Sequence, residues 1–186
     1  MNTTPIHDLQ WLNSLPPEEA TNELLKCCGS RRWACQMANE VPFLSYEELK
    51  TKATNVWWSL APDDWLEAFR SHPKIGEKKA SASSESAIER PGVQFQKWSE
   101  QEQAGVLNAR LETMGLLAEL NRQYEEKFGY IFIVCATGWS SEEMLALLQH
   151  RLKNEPAKEL SIAAAEQVKI TELRLNKLLA VSLSAE

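Results

Sequence analysis

Tyr130-Ile131-Phe132-Ile133-Val134-Cys135 is the one stretch of this 186-residue chain that reads as a β-strand. Its β-branched and aromatic residues suit an extended, half-buried backbone. A sheet needs a second such run, and the chain offers none. The segment is therefore predicted to be extended and buried without belonging to a sheet. Its backbone N–H and C=O groups then need partners from elsewhere in the fold, and a bound ligand is one candidate source.

On either side of this run the pattern is helical. Upstream, a helical stretch runs from about Ser99 to Lys127, weakened in propensity at Gly105 and Gly115. Leu107, Leu111, Met114, Leu117, Leu120 and Tyr124 recur in it at helical spacing and should face the core. Downstream, Ser140-Ser141-Glu142-Glu143 opens a helix toward Asn154, and Pro156 starts a last helix through about Leu179. In the first half, Pro16-Pro17-Glu18-Glu19 opens a helix that Gly29 closes, and Arg31 to Glu40 forms a short one. Ser45 and Glu48 make a capping box for a helix toward Leu60, and Pro62-Asp63-Asp64 begins one ending at His72. Gly76 to Gly92, rich in serine and lysine, reads as a mobile connector and a candidate flap. No repeat or linker divides the chain. The expected fold is all-α, a single domain over residues 1–186, with about seven to nine helices around one buried extended segment.

Composition narrows the function. The net charge of −6 comes from dispersed acids, which disfavours nucleic acid and anionic membranes as partners. No apolar run approaches the roughly 18 residues of a membrane span, and the N-terminus lacks the basic and apolar regions of a signal peptide. Cys27, Cys28, Cys35 and Cys135 form no C-x-x-C pair, so they are expected to be buried free thiols of a reducing compartment. The C-terminal Leu183-Ser184-Ala185-Glu186 is no peroxisomal address, and a cytoplasmic location is expected. His7, His72 and His150 are scattered, and neither a dinucleotide fingerprint nor a P-loop is present, so neither metal nor cofactor is expected. Trp57, Trp58, Trp65 and Trp98 are expected to be mainly structural anchors.

Candidate chemistry begins at His72-Pro73-Lys74-Ile75-Gly76. The proline pushes His72 out of helical geometry, and an imidazole presented there can carry acid–base chemistry. It can equally be a helix-end residue that caps the last carbonyls. Ser99, Glu102 and Gln103 share a helix face at i, i+3 and i+4, although Ser-x-x-Glu is also a capping box. Arg151 either complements a helix C-terminus or grips a planar carboxylate or ureido group with its guanidinium fork.

Together and in this order the elements are specific. The chain resembles the decarboxylases of 2-oxo-4-hydroxy-4-carboxy-5-ureidoimidazoline (OHCU), which act at the end of the route from urate to allantoin. The resemblance runs from Leu12-Asn13 through Cys28-Gly29-Ser30, Arg32-Trp33-Ala34 and Pro42-Phe43 to His72-Pro73-Lys74-Ile75-Gly76-Glu77-Lys78. It continues with Ser99-Glu100-Gln101-Glu102-Gln103, Lys127 to Val134, Arg151-Leu152-Lys153-Asn154, Glu159, Lys169-Ile170 and Leu173-Arg174-Leu175. It implies a catalytic centre of His72, Glu102 and Arg151. Pro73, Ser99 and Gln103 would line the substrate, with backbone groups of Ile131, Phe132 and Ile133 against its ring. It also implies a cofactor-independent enzyme, a small-molecule substrate and a homodimer. Val41 and Ile131 depart from the family pattern, where arginine and proline are usual. A hydrolase or lyase acting on another ureido or hydantoin ring, and a non-catalytic helical interaction module, remain alternatives on the same residues.

Overall fold

A computed structural model describes residues 8–73 and 111–179. Ser99, Glu102, Gln103, Trp98, the Gly76 to Gly92 connector and the first part of the long helix lie outside the described residues. Among the described residues there are eight helices and no strand: α1 (Leu9–Ser14), α2 (Pro17–Cys28), α3 (Arg31–Asn39), α4 (Tyr46–Ser59), α5 (Pro62–Arg70), α6 (Leu111–Phe128), α7 (Ser141–Arg151) and α8 (Pro156–Leu178). The all-α expectation holds. Of the run from Tyr130 to Cys135, Tyr130 lies in a bend and residues 131–135 belong to no helix and pair with no strand among the described residues.

Helix ends follow local chemistry. Ser140 accepts a hydrogen bond from the Glu143 backbone N–H, and Glu143 reaches back to the Ser140 N–H, a complete capping box. At α4 only half of the expected box forms. Ser45 accepts from the Glu48 N–H, but the Glu48 carboxylate takes the Leu44 N–H instead, one residue earlier. Gly29 closes α2 with φ of 85°, a left-handed conformation that costs a glycine little. The last turn of α5 ends at Arg70, two residues short of His72, because Pro73 bars helical geometry at the residue before it.

The chain divides into two compact units. In the first, residues 1–68 and 168–186, Trp33 is fully buried and its indole N–H donates to the Ala53 carbonyl at 3.0 Å. The Asn13 amide donates to the Phe43 carbonyl at 2.8 Å and accepts the Phe43 N–H at 2.9 Å, pinning the chain between α3 and α4. Trp57 is buried, whereas Trp58 is 45% exposed and meets the Trp65 ring edge-on at 5.7 Å. A cavity in this unit, lined by Trp33, Ala53, Trp57 and Leu175 beside Lys50 and Glu172, contains none of the expected site residues.

The cysteines only partly meet expectation. Cys27 and Cys28 are buried, but Cys35 is exposed and Cys135 half-buried. Trp33, Ala34, Met37 and Ala38 form the inner face of α3, and Cys35 points away from it. Burial pushes the Cys28 thiol up to about 12 and the Cys27 thiol higher still. At pH 8, Cys35 should react first with a disulfide reagent and Cys135 more slowly, while Cys27 and Cys28 react only after unfolding. Time-resolved thiol titration with peptide mapping checks this, and fast labelling of Cys27 or Cys28 in the native protein would contradict it. Because the folded thiols keep protons that free thiols lose near 9.0, unfolding releases protons above that pH. Stability should therefore fall as the pH rises from about 9 toward 12.

The second unit, residues 69–167, packs α6, the extended run, α7 and the first part of α8 around an aromatic cluster. The Tyr124 ring lies 4.6 Å from Phe128, 5.3 Å from Phe132 and 5.8 Å from Tyr130, centroid to centroid. Leu117 and Tyr124 are buried as the helical spacing requires, and Leu116, off that stripe, is 50% exposed. No described helix is long and apolar enough to cross a membrane.

Candidate active site

The extended run obtains part of its backbone bonding from side chains. Arg151 donates from Nη1 to the Ile133 carbonyl at 2.8 Å, and the Glu166 carboxylate accepts the Cys135 N–H at 2.8 Å. Two of the groups for which the sequence required outside partners are thereby satisfied by α7 and α8. Phe132, Ile133 and Val134 are buried and Ile131 is half-buried, so the run forms one wall of the unit's interior.

Arg151 is the last residue of α7, where an exposed cation would complement the helix dipole. Instead it is buried and paired. Its Nε donates to Glu159 Oε1 at 2.6 Å, and its Nη2 lies 2.5 Å from the same oxygen. The guanidinium carbon stands 4.7 Å from the centroid of the Phe132 ring, where a cation is attracted to the π face. Glu159 is fully buried in the first turn of α8, where the helix N-terminus favours a carboxylate. It collects the Tyr124 hydroxyl on Oε1 and the Asn154 amide on Oε2 at 2.7 Å. Burial holds the Tyr124 hydroxyl far above its usual ionisation, so it remains a donor. Lys127 closes the end of α7 by donating to the Leu152 and Asn154 carbonyls at 2.7 and 2.9 Å.

His72 leaves the end of α5 with its backbone N–H on the Phe69 carbonyl at 3.2 Å. The Nε2 atom lies 2.7 Å from Oε1 of Gln167, a fully buried residue of α8. Pro73, the next residue, is half-buried.

One helix thus serves three groups. Glu159 holds Arg151, Glu166 holds the end of the extended run, and Gln167 holds His72. Glu159 and Gln167 are eight residues apart, about 12 Å along the axis at 1.5 Å per residue. Of the expected site, the structure places His72, Pro73, Arg151, Ile131, Phe132 and Ile133 in this unit, while Glu102, Ser99 and Gln103 are not described. Gln167, Glu166 and the polar role of Tyr124 were not foreseen. The signal lies in α8, where Glu159 and Gln167 fall at i and i+8 on the stripe that buries Ala163 at i+4. Polar side chains at core positions require partners.

Comparison with known proteins bears on this geometry. The family model described as OHCU decarboxylase matches residues 13–176. The uric acid degradation bifunctional protein TTL of Arabidopsis thaliana is 43% identical over 162 residues, 87% of this chain. The chain spans about half of that relative's length, 48%. The 2-oxo-4-hydroxy-4-carboxy-5-ureidoimidazoline decarboxylase of Amia calva is 29% identical, with 92% of this chain and 94% of the relative covered. Among solved structures, an OHCU decarboxylase crystallised in the presence of (S)-allantoin superposes with a TM-score of 0.71 at 37% identity. That match covers 86% of this chain and 98% of the other. A crystal structure of (S)-allantoin synthase, 17% identical with a TM-score of 0.68, shares the fold.

Proposed function

The chain belongs to the OHCU decarboxylase family, and from that premise we propose that it removes the carboxyl group of OHCU to give (S)-allantoin in the breakdown of urate. The observation that carries most weight is the solved decarboxylase, 37% identical and covered almost end to end by this chain. We also read residues 1–186 as a single domain, since the matched region takes in both compact units. A cytoplasmic homodimer remains part of the proposal.

The substrate explains how such a site can work with side chains alone. Carbon dioxide loss leaves an electron pair that needs a sink, and the neighbouring imine carbon of OHCU provides one. The breaking C–C bond supplies electrons to a new double bond between the two ring carbons, while the imine C=N pair moves onto its nitrogen, which takes up a proton. The hydroxyl on the carbon that lost carbon dioxide then becomes a carbonyl as the former imine carbon gains a proton. One proton is taken up for each carbon dioxide released.

In this reading His72 takes the hydroxyl proton, assisted by Glu102. The Arg151 fork already holds the Ile133 carbonyl, which sets the backbone against which the ring would lie. Its Nη1 carries a second hydrogen, the donor we assign to a ring or ureido oxygen of the substrate. Pro73, Ser99 and Gln103 complete the lining. Delivery of the proton to one face of the ring gives one hand of allantoin, whereas spontaneous breakdown should yield both.

The test is circular dichroism on urate treated with its oxidase and the downstream hydrolase, with and without this protein. Rapid appearance of one allantoin enantiomer is expected. Slow racemic product in the presence of folded protein would reject the reading.

A further inference from the structure

We propose that Gln167 is a positioning residue for this reaction: its side-chain carbonyl locks His72 in the tautomer protonated on Nε2, so that Nδ1 is the nitrogen that takes the substrate's proton. The kinetic part rests on the decarboxylase reading. The tautomer itself is a property of the folded chain.

Two observations carry the inference. The first is contact geometry. Nε2 of His72 and Oε1 of Gln167 are 2.7 Å apart, a short N–H···O distance. An amide carbonyl can only accept, so the hydrogen between them belongs to the imidazole. A neutral imidazole has one such hydrogen, and the lone pair then sits on Nδ1. The second is that both partners are restrained. Gln167 is fully buried within α8, and its neighbour Glu166 is tied to the Cys135 backbone. His72 is held by its N–H on the Phe69 carbonyl and by the proline that follows it. The ring is fixed at its backbone and at Nε2, which leaves little freedom to exchange the two nitrogens.

The chemistry explains an amide at this position. A carboxylate would orient the ring equally well, but its charge at this nitrogen would keep the ring protonated, and so unable to accept the substrate's proton, up to a higher pH. A neutral carbonyl holds the same hydrogen without that bias. It also remains a hydrogen-bond acceptor once Nδ1 has taken its proton.

The test uses the full chain labelled with 15N in its imidazoles. Only three histidines are present, so His72 is assigned by the signals lost in His72→Gln. At a pH where the ring is neutral, the long-range 1H–15N pattern should show an Nε2–H tautomer. An Nδ1–H pattern, as would arise if Gln167 presented its NH2 group to the ring, would overturn the proposal without any assay. Kinetics separate positioning from packing. Gln167→Leu should lower kcat about 10–100-fold, the usual cost of losing an orienting partner, with KM little changed. Gln167→Glu keeps an acceptor and should recover much of kcat while moving the acid limb of the rate profile to higher pH. A residue needed only for packing would give the reverse order, with leucine tolerated and the buried carboxylate damaging. If the wild type shows the Nε2–H pattern but does not turn over OHCU, the functional reading fails and the tautomer lock stands.

Discussion

Replacing His72 with alanine should lower kcat for OHCU decarboxylation about 10²–10⁴-fold, the range by which a positioned acid–base group accelerates proton transfer. The enantiomeric excess of the allantoin should vanish with it, because spontaneous decarboxylation would then dominate. Some stability is lost as well. The buried Gln167 carbonyl loses the donor it holds at 2.7 Å, a penalty of about 1–3 kcal/mol. His72→Gln is the informative companion, since its amide N–H can still reach a carbonyl but cannot serve as a base. It should be nearly as inactive as the alanine variant and closer to wild type in urea denaturation. Turnover retained within a few-fold by either variant would remove His72 from the chemistry.

Glu159→Ala should be the most damaging single change to stability among the described residues. Its carboxylate is the shared partner of Arg151, Tyr124 and Asn154. Removal strands a guanidinium only 3% exposed, and breaking one side of a buried pair typically costs about 3–5 kcal/mol. For a domain of this size that corresponds to a fall in Tm of about 6–20 °C, taking 2–4 °C per kcal/mol. Glu159→Gln should lie between alanine and wild type, since it keeps an acceptor while losing the charge. Thermal and urea unfolding, each followed by circular dichroism, measure the loss. A cost below about 1 kcal/mol would mean that Arg151 finds other partners. Since Arg151 also grips Ile133, the same variant should loosen the wall of the site and raise KM before the fold gives way.

These two variants mark different depths of legibility. That His72 leaves the helix is written in its next residue, Pro73. The partner that orients its ring lies 95 positions away on α8, and no local pattern names it. Arg151 shows the same contrast. Its place in the last turn of a helix left open whether it complements the dipole or grips a planar group, and the structure buries it against a glutamate eight residues on. Cys35 was expected to be buried with the other thiols, yet the apolar face of α3 is set by Trp33, Ala34, Met37 and Ala38, and the cysteine falls outside it.

Local sequence was enough to place most of the described helices, several of their caps and the strand-like run. These depend on interactions within three or four residues, such as Ser140 with Glu143 or the left-handed turn at Gly29. Through its resemblance to known decarboxylases the sequence also indicated the chemistry. Tertiary structure alone decided which polar side chains meet. A buried charge or amide must be satisfied by whatever group the packing brings within hydrogen-bond reach. That is how α8 comes to hold Arg151, the extended run and His72 from one helix.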